Sequence, residues 1–252
     1  MFNKKNFVIF VIITNMIMSV CTSMNVFAAS GQSIYTSVSV STDSSQNLWV
    51  YFGTGDKTNP QITTITDSSY GMKDSDRSTT YTQSSLANIT SGIYTDSPSG
   101  HGWYMNVPGA GEKILASPVV YDKKVYFTTY TPSTTDPCNQ NGTAKLYVVD
   151  YITGAGLLSG ASGVVGGTGT GFSTTGGGVR WESLGGGTPS GAVVSVNPYG
   201  GLYDVYVSTS APVVDSSGNI IIDAPKTNKV SDPSPPQTPP KSPIYWHDLR
   251  VQ

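Results

Sequence analysis

Charge is scarce in this chain: 12% of its 252 residues are Asp, Glu, Lys or Arg, and the formal net charge is −2. With no basic stripe, it has no electrostatic means of holding nucleic acid or an anionic membrane surface. Histidine and glutamate are scarcer still, present only as His101, His247, Glu112 and Glu182. These supply no His-Glu-x-x-His zinc pair and no triad, and the chain has no Gly-x-Ser-x-Gly elbow. Only one long apolar run occurs, residues 7–20, and nothing after it repeats with a helical period. Glycine, proline and tyrosine are plentiful at 28, 16 and 15 residues, a composition suited to an extracellular β protein with long loops.

The apolar run belongs to a three-part secretory signal. Lys4 and Lys5 precede it, and a polar stretch ends on Val26-Phe27-Ala28, with small residues where a signal peptidase needs them. Residues 1–28 are therefore predicted to be removed on export. The rival reading, an uncleaved anchor, meets a core interrupted by Asn15 and shorter than the ~20 residues needed to span a bilayer. Val20 before Cys21 argues against lipidation. Cys138 is then the only cysteine of the mature chain, so it is either a free or buried thiol or one half of an intermolecular bridge.

What is present is β-sheet. Ser117-Pro118-Val119-Val120, a polar Tyr121-Asp122-Lys123-Lys124 turn and a VYFTTYT run over 125–131 read as two antiparallel strands, and LYVVDYITG (146–154) supplies a third. Val125, Phe127 and Thr129 point to one face and Tyr126, Thr128 and Tyr130 to the other. Both faces thus carry apolar or aromatic surface, and stacked sheets would cover both. The VY strand recurs as VYFGT (50–54), VYFTT (125–129) and VYVST (205–209), at offsets of 75 and 80 residues. These exceed the ~40–50 residues of a lean propeller blade, so long loops are expected at 131–143 and 159–187. Residues 54–100 read as polar and loop-rich, with Tyr70-Gly71-Met72-Lys73-Asp74 as one ordered island. Val213-Val214 and Ile220-Ile221-Ile222 flank a polar turn and predict a hairpin.

Six prolines within residues 231–243 exclude helix and internal strand and predict an extended spacer of roughly 40 Å at ~3.1 Å per residue. IYWHDLRV (244–251) then reads as a terminal strand that crosses a gap to join a distant sheet. The expected organisation is a signal at 1–28, antiparallel β-propeller-like blades with loop insertions at 29–230, a linker at 231–243 and a closing strand at 244–252.

The candidate sites are weak. Glu112 and Glu182 sit where a carboxylate more often satisfies neighbouring backbone donors than acts as a general acid. Gly167-Thr168-Gly169-Thr170-Gly171-Phe172-Ser173 lacks a Lys for phosphate and any βαβ setting, and reads as a surface loop. Asp215-Ser216-Ser217-Gly218-Asn219 offers alternating oxygens but no distal Glu, so a hairpin turn is favoured over a calcium loop. Asp74-Ser75-Asp76 has less context still. The expectation is no catalytic residue, no cofactor and no metal.

The stretches WVYFGTGD (49–56), YGMKD (70–74), GEKILASPVVYDKKVYFTTYTP (111–132) with DPC (136–138), LYVVDYITG (146–154), LGGGTPSGAVV (184–194) and IYWHDL (244–249), in that order, resemble the C-terminal half of the PilC/PilY family of type IV pilus biogenesis and tip-associated adhesin proteins. The resemblance implies a partial β-propeller, export to the periplasm, outer membrane surface or pilus tip, and a non-enzymatic role in pilus assembly or attachment. Its implied partners are pilus components or another propeller fragment, with a homo-oligomer as a further outcome of incomplete closure. Here a signal leads almost directly into the last blades, so the calcium loop of the family's earlier blades is not carried over. The alternative is a fragment of a quinoprotein-like oxidoreductase. That would need metal ligands and cofactor-stacking aromatics, whereas Trp49, Trp103, Trp181 and Trp246 read as packing between blades.

Overall fold

The computed structural model describes residues 9–11, 24–27, 31–74, 80–133, 142–158, 178–196, 203–211, 213–214, 220–221 and 226–231. Every regular element among them is a strand except one 3-10 turn, Gln83–Ser85. The strands are β1 (Ile9–Val11), β2 (Met24–Phe27), β3 (Ser39–Thr42), β4 (Leu48–Gly53), β5 (Ser68–Asp74), β6 (Thr80–Thr82), β7 (Ala87–Asn88), β8 (Gly102–Asn106) and β9 (Lys113–Ile114). There follow β10 (Val119–Tyr121), β11 (Lys124–Thr131), β12 (Thr143–Asp150), β13 (Trp181–Gly186), β14 (Val193–Val196), β15 (Tyr203–Thr209), β16 (Val213–Val214), β17 (Ile220–Ile221) and β18 (Lys226–Ser231).

The three VY segments fall on β4, β11 and β15, and each occupies the same place in its own sheet. Each is paired antiparallel on both sides: β4 by β3 and β5, β11 by β10 and β12, and β15 by β14 and β18. The first sheet runs β3-β4-β5-β8-β7, the second β10-β11-β12-β13 with β9 alongside β11, and the third β14-β15-β18. The β10–β11 hairpin turns on Asp122 and Lys123, whose φ angles of 47° and 60° give the two left-handed residues of a type I′ turn. Asp43 closes the β3–β4 turn by accepting from the Ser45 and Asn47 amides, and its second oxygen accepts from Trp49 Nε1. Asp150 does the same after β12, for the Ile152 and Thr153 amides.

The predicted two-faced burial of the VY strand is what makes the sheets stack. Val125 and Phe127 of β11, with Tyr147 and Val149 of β12, pack against Trp49, Tyr51, Trp103 and Met105 of the first sheet. Tyr126, Leu146 and Val148 face the other way, onto Tyr203, Val205 and Val207 of the third. The second sheet is therefore the middle layer of three. The outer face of the first sheet, formed by Val50, Phe52, Tyr70 and Met72, is covered by Tyr81 of β6 and by Ile34 and Leu86 from connecting segments. The fold is all-β in several sheets, and no closed barrel or ring of sheets forms among the described residues.

Several boundaries differ from the sequence reading. Residues 54–100 hold more than one ordered island: Tyr70–Asp74 is part of the seven-residue β5, completely buried, and β6 and β7 follow it. Ring packing explains Gly71, because a Cβ there would lie 2.5 Å from the Trp103 ring. The expected loop at 159–187 ends in structure, since Trp181–Gly186 is β13 and pairs with β12. Its glycines hid it, because glycine is depleted from strands in general. Ser231, expected to begin the linker, closes β18. Of the hairpin expected over 213–223, the paired residues Val213–Val214 and Ile220–Ile221 form β16 and β17. Within the segment read as a signal, β1 and β2 pair antiparallel and β2 lies parallel to β6. Cys138, the Gly-rich 167–173 stretch, the 215–219 turn, residues 232–243 and the terminal 244–252 lie outside the described residues.

Candidate functional site

Among the described residues, a dense polar cluster lies at one margin of the contact between the first and second sheets. Gly111, with φ of 67°, turns the chain so that Glu112 points inward just before β9. Its carboxylate is fully buried and is met from four directions. Oε1 accepts from Thr129 Oγ1 at 2.6 Å and Tyr147 OH at 3.0 Å. Oε2 accepts from Lys145 Nζ at 2.7 Å and the Gly109 amide at 2.8 Å. Burial beside this carboxylate pushes the Tyr147 hydroxyl far above the usual phenol range. The sequence reading of Glu112 as an acceptor for neighbouring backbone donors is met by one group, the Gly109 amide; its other three donors are side chains brought from β11 and β12.

Next to it, Lys113 points the opposite way and is also buried. Its ammonium donates to three carbonyls, those of Pro60, Ile62 and Gly111, at 2.9, 2.8 and 2.7 Å. Burial pulls it below the ordinary lysine range, against the attraction of Asp67 and Asp56. Asp67 is pushed up by burial, against a hydrogen bond from Thr54 and the Lys113 charge, and its Oδ1 has no hydrogen-bond partner. Lys113 thus acts as a tethered cation that gathers the loop between β4 and β5 onto the second sheet.

Other buried polar groups have the same kind of work. Lys73 pairs with Asp96 at 3.0 Å. Tyr51 donates to the Tyr151 carbonyl at 2.9 Å and so spans the first and second sheets. Tyr126 and Tyr203 share a 2.9 Å hydroxyl contact between the second and third. Arg180 donates to the carbonyls of Gly154, Thr90 and Gly92, and burial lowers its pKa.

The two glutamates are not brought together. Lys145 and Tyr147 carry Glu112 on the face of β12 turned to the first sheet, whereas Glu182 stands opposite Leu146, which faces the third. Burial raises the Glu182 carboxyl. A pair of carboxylates working as general acid and base must both reach the same substrate, and a whole sheet separates these. His101 lies against the Tyr81 ring at 4.7 Å, and its Nδ1 is buried without a partner. His247 lies outside the described residues. Among the described residues no group of three or more His, Cys, Asp or Glu is placed to hold a metal.

Of the tryptophans, Trp49 and Trp103 do pack between the first two sheets. Trp181 does not: it is 39% exposed on β13, with Lys145 Nζ 4.4 Å from its ring centre. Neither the buried lysine cage nor the four-donor carboxylate could be read from the sequence, because their members are scattered from residue 60 to residue 147. The one local signal was Gly111-Glu112-Lys113, a charged pair at a strand start after a glycine.

No helix among the described residues is long and apolar enough to cross a membrane. No family model matches the chain, and no solved structure matches it. A curated protein similar to part of it is a type IV pilus biogenesis factor PilY1 homolog of Xylella fastidiosa (strain Temecula1 / ATCC 700964), 33% identical over 98 residues. That match takes in 34% of this chain and 7% of the relative, so the chain corresponds to a small part of that protein's length and is related to it at a distance.

Proposed function

We propose that this chain is an exported, non-enzymatic component of type IV pilus biogenesis or pilus-tip adhesion, acting with other pilus components. The observation that carries the reading is its 33% identity over 98 residues to a protein described as a type IV pilus biogenesis factor. The stacked sheets support it as well. Three sheets, each with its VY strand second from one edge and paired antiparallel on both sides, are what consecutive blades of an incomplete propeller would look like.

The polar chemistry fits a binding scaffold. Glu112, Lys113, Lys73 and Arg180 are spent on holding strands and loops together, which leaves recognition to surfaces and loops. Export would proceed through removal of residues 1–28. Two measurements test the proposal. Mass spectrometry of envelope and sheared-pilus fractions should find the chain beginning after residue 28. A deletion strain should lose surface pili or attachment; normal assembly, retraction and adhesion in that strain would overturn the reading.

A further inference from the structure

Three backbone carbonyls converge on one nitrogen between the first and second sheets. Those of Pro60 and Ile62 come from the loop between β4 and β5, and that of Gly111 from the turn before β9. None of the three accepts a backbone amide among the described residues. Carbonyl oxygens gathered in this way repel one another and have left water, so their convergence must be answered by positive charge. The approach is built into the backbone, because a Cβ at Gly111 would lie 2.6 Å from Thr63 Cα and 2.7 Å from the Ile62 carbonyl oxygen. The loop also carries its own turn: Asp56 Oδ1 accepts from the Thr58 amide, the Thr58 hydroxyl and the Asn59 amide at 2.8, 2.6 and 3.2 Å.

The charge that answers is the Lys113 ammonium, on a residue 1% exposed. Asp56 and Asp67 attract it without bonding to it. The oxygens stand 2.7–2.9 Å from the nitrogen, and that spacing selects a class of ion. Calcium takes oxygen at about 2.3–2.6 Å and magnesium at about 2.0–2.1 Å, so either would require the three segments to draw closer together. Neutral carbonyls replace the hydration shell of potassium in selective channels, and free ammonium offers the same N–H donors as a lysine.

We propose that the carbonyls of Pro60, Ile62 and Gly111 form a seat for a univalent, weakly hydrated cation, which this chain fills with its own Lys113 ammonium. The seat closes the β4–β5 loop onto the second sheet, and the lysine makes that closure independent of any free ion. With the lysine removed, the same oxygens take potassium or ammonium. This inference is independent of the pilus reading.

Thermal melts of the full chain test it, in chloride salts of potassium, ammonium, calcium and tetramethylammonium matched in ionic strength. Each variant is read as its difference from the parent in the same salt, which removes general salt effects. Lys113→Ala empties the seat. Its melting temperature should rise by about 3–5 °C in potassium or ammonium relative to tetramethylammonium, with the ion at about ten times its dissociation constant, and the rise should saturate. Lys113→Met keeps the stem without the nitrogen and blocks the seat, so its deficit should be the same in every salt. A deficit of Lys113→Ala that does not depend on the ion, a larger recovery in calcium than in potassium, or an equal recovery of Lys113→Met would each overturn the proposal. If Lys113→Ala does not fold in tetramethylammonium, refolding yield across the same salts replaces the melt, and a yield indifferent to the ion overturns the proposal equally.

Discussion

The contacts on the two faces of the middle sheet differ in what fills them. Toward the first sheet the core is aromatic and large, with Trp49, Tyr51, Tyr94, Trp103, Phe127, Tyr147 and Tyr151. It is also pinned at its margin by the Glu112 and Lys113 clusters. Toward the third sheet the core is mostly aliphatic, with Ala144, Leu146, Val148, Leu184, Val205 and Val207 around Tyr126 and Tyr203. The third sheet has three strands where the first has five. Burial stabilises in proportion to apolar area, so the first two sheets should form the more cohesive unit and the third the more weakly held one.

Substitutions rank that difference. The largest effect is expected from Trp103→Ala, which empties the centre of the aromatic contact and should remove about 3–5 kcal/mol in a denaturant titration. Glu112→Ala should follow at about 3 kcal/mol, because it leaves Lys145 facing a buried space without its carboxylate. Adding Lys145→Met should recover part of that loss, which a double-mutant cycle would show. Leu146→Ala on the opposite face should remove about 2–3 kcal/mol, and by hydrogen exchange it should expose the amides of β14 and β15 before those of β4 and β5. If Leu146→Ala instead released the first sheet, or destabilised as much as Trp103→Ala, the two contacts would not differ as described.

The smallest effect concerns Asp67. Burial raises its pKa above the unfolded value near 3.8, so between 3.8 and the folded value the native state binds the extra proton. Stability from this group is therefore greatest below pH 3.8 and falls as pH rises through its folded pKa. Asp67→Asn cannot ionise and should escape that fall. The stability difference between variant and parent should shift in favour of the variant from pH 3.5 to pH 7, and a constant difference over that range would show that Asp67 is ionised in the fold without penalty.

Legibility in the sequence followed the range of the interaction. The β10–β11 hairpin was readable because its turn and both strands lie within fifteen residues, and the two-faced burial of β11 was readable because side chains alternate. Strand β13 was not, since Leu184-Gly185-Gly186 has almost no side chain to alternate, and its pairing comes from β12. The cover over the first sheet was missed for a related reason: Ile34 lies in one polar segment and Tyr81 and Leu86 in another, and none of them belongs to a periodic run.

Composition and pattern alone thus determined that this chain is all-β, that three like hairpins recur in it, and that its glutamates and histidines are too few and too far apart in sequence to announce a site. These follow from local sterics and a two-residue period. Tertiary structure decided which faces meet, what covers the outer face of the first sheet, and what Glu112 and Lys113 hold. Those outcomes depend on groups tens of residues apart, such as Pro60 with Lys113 or Gly109 with Lys145 around Glu112. Such groups meet only after the chain has closed its loops, when a buried charge must find every partner it needs.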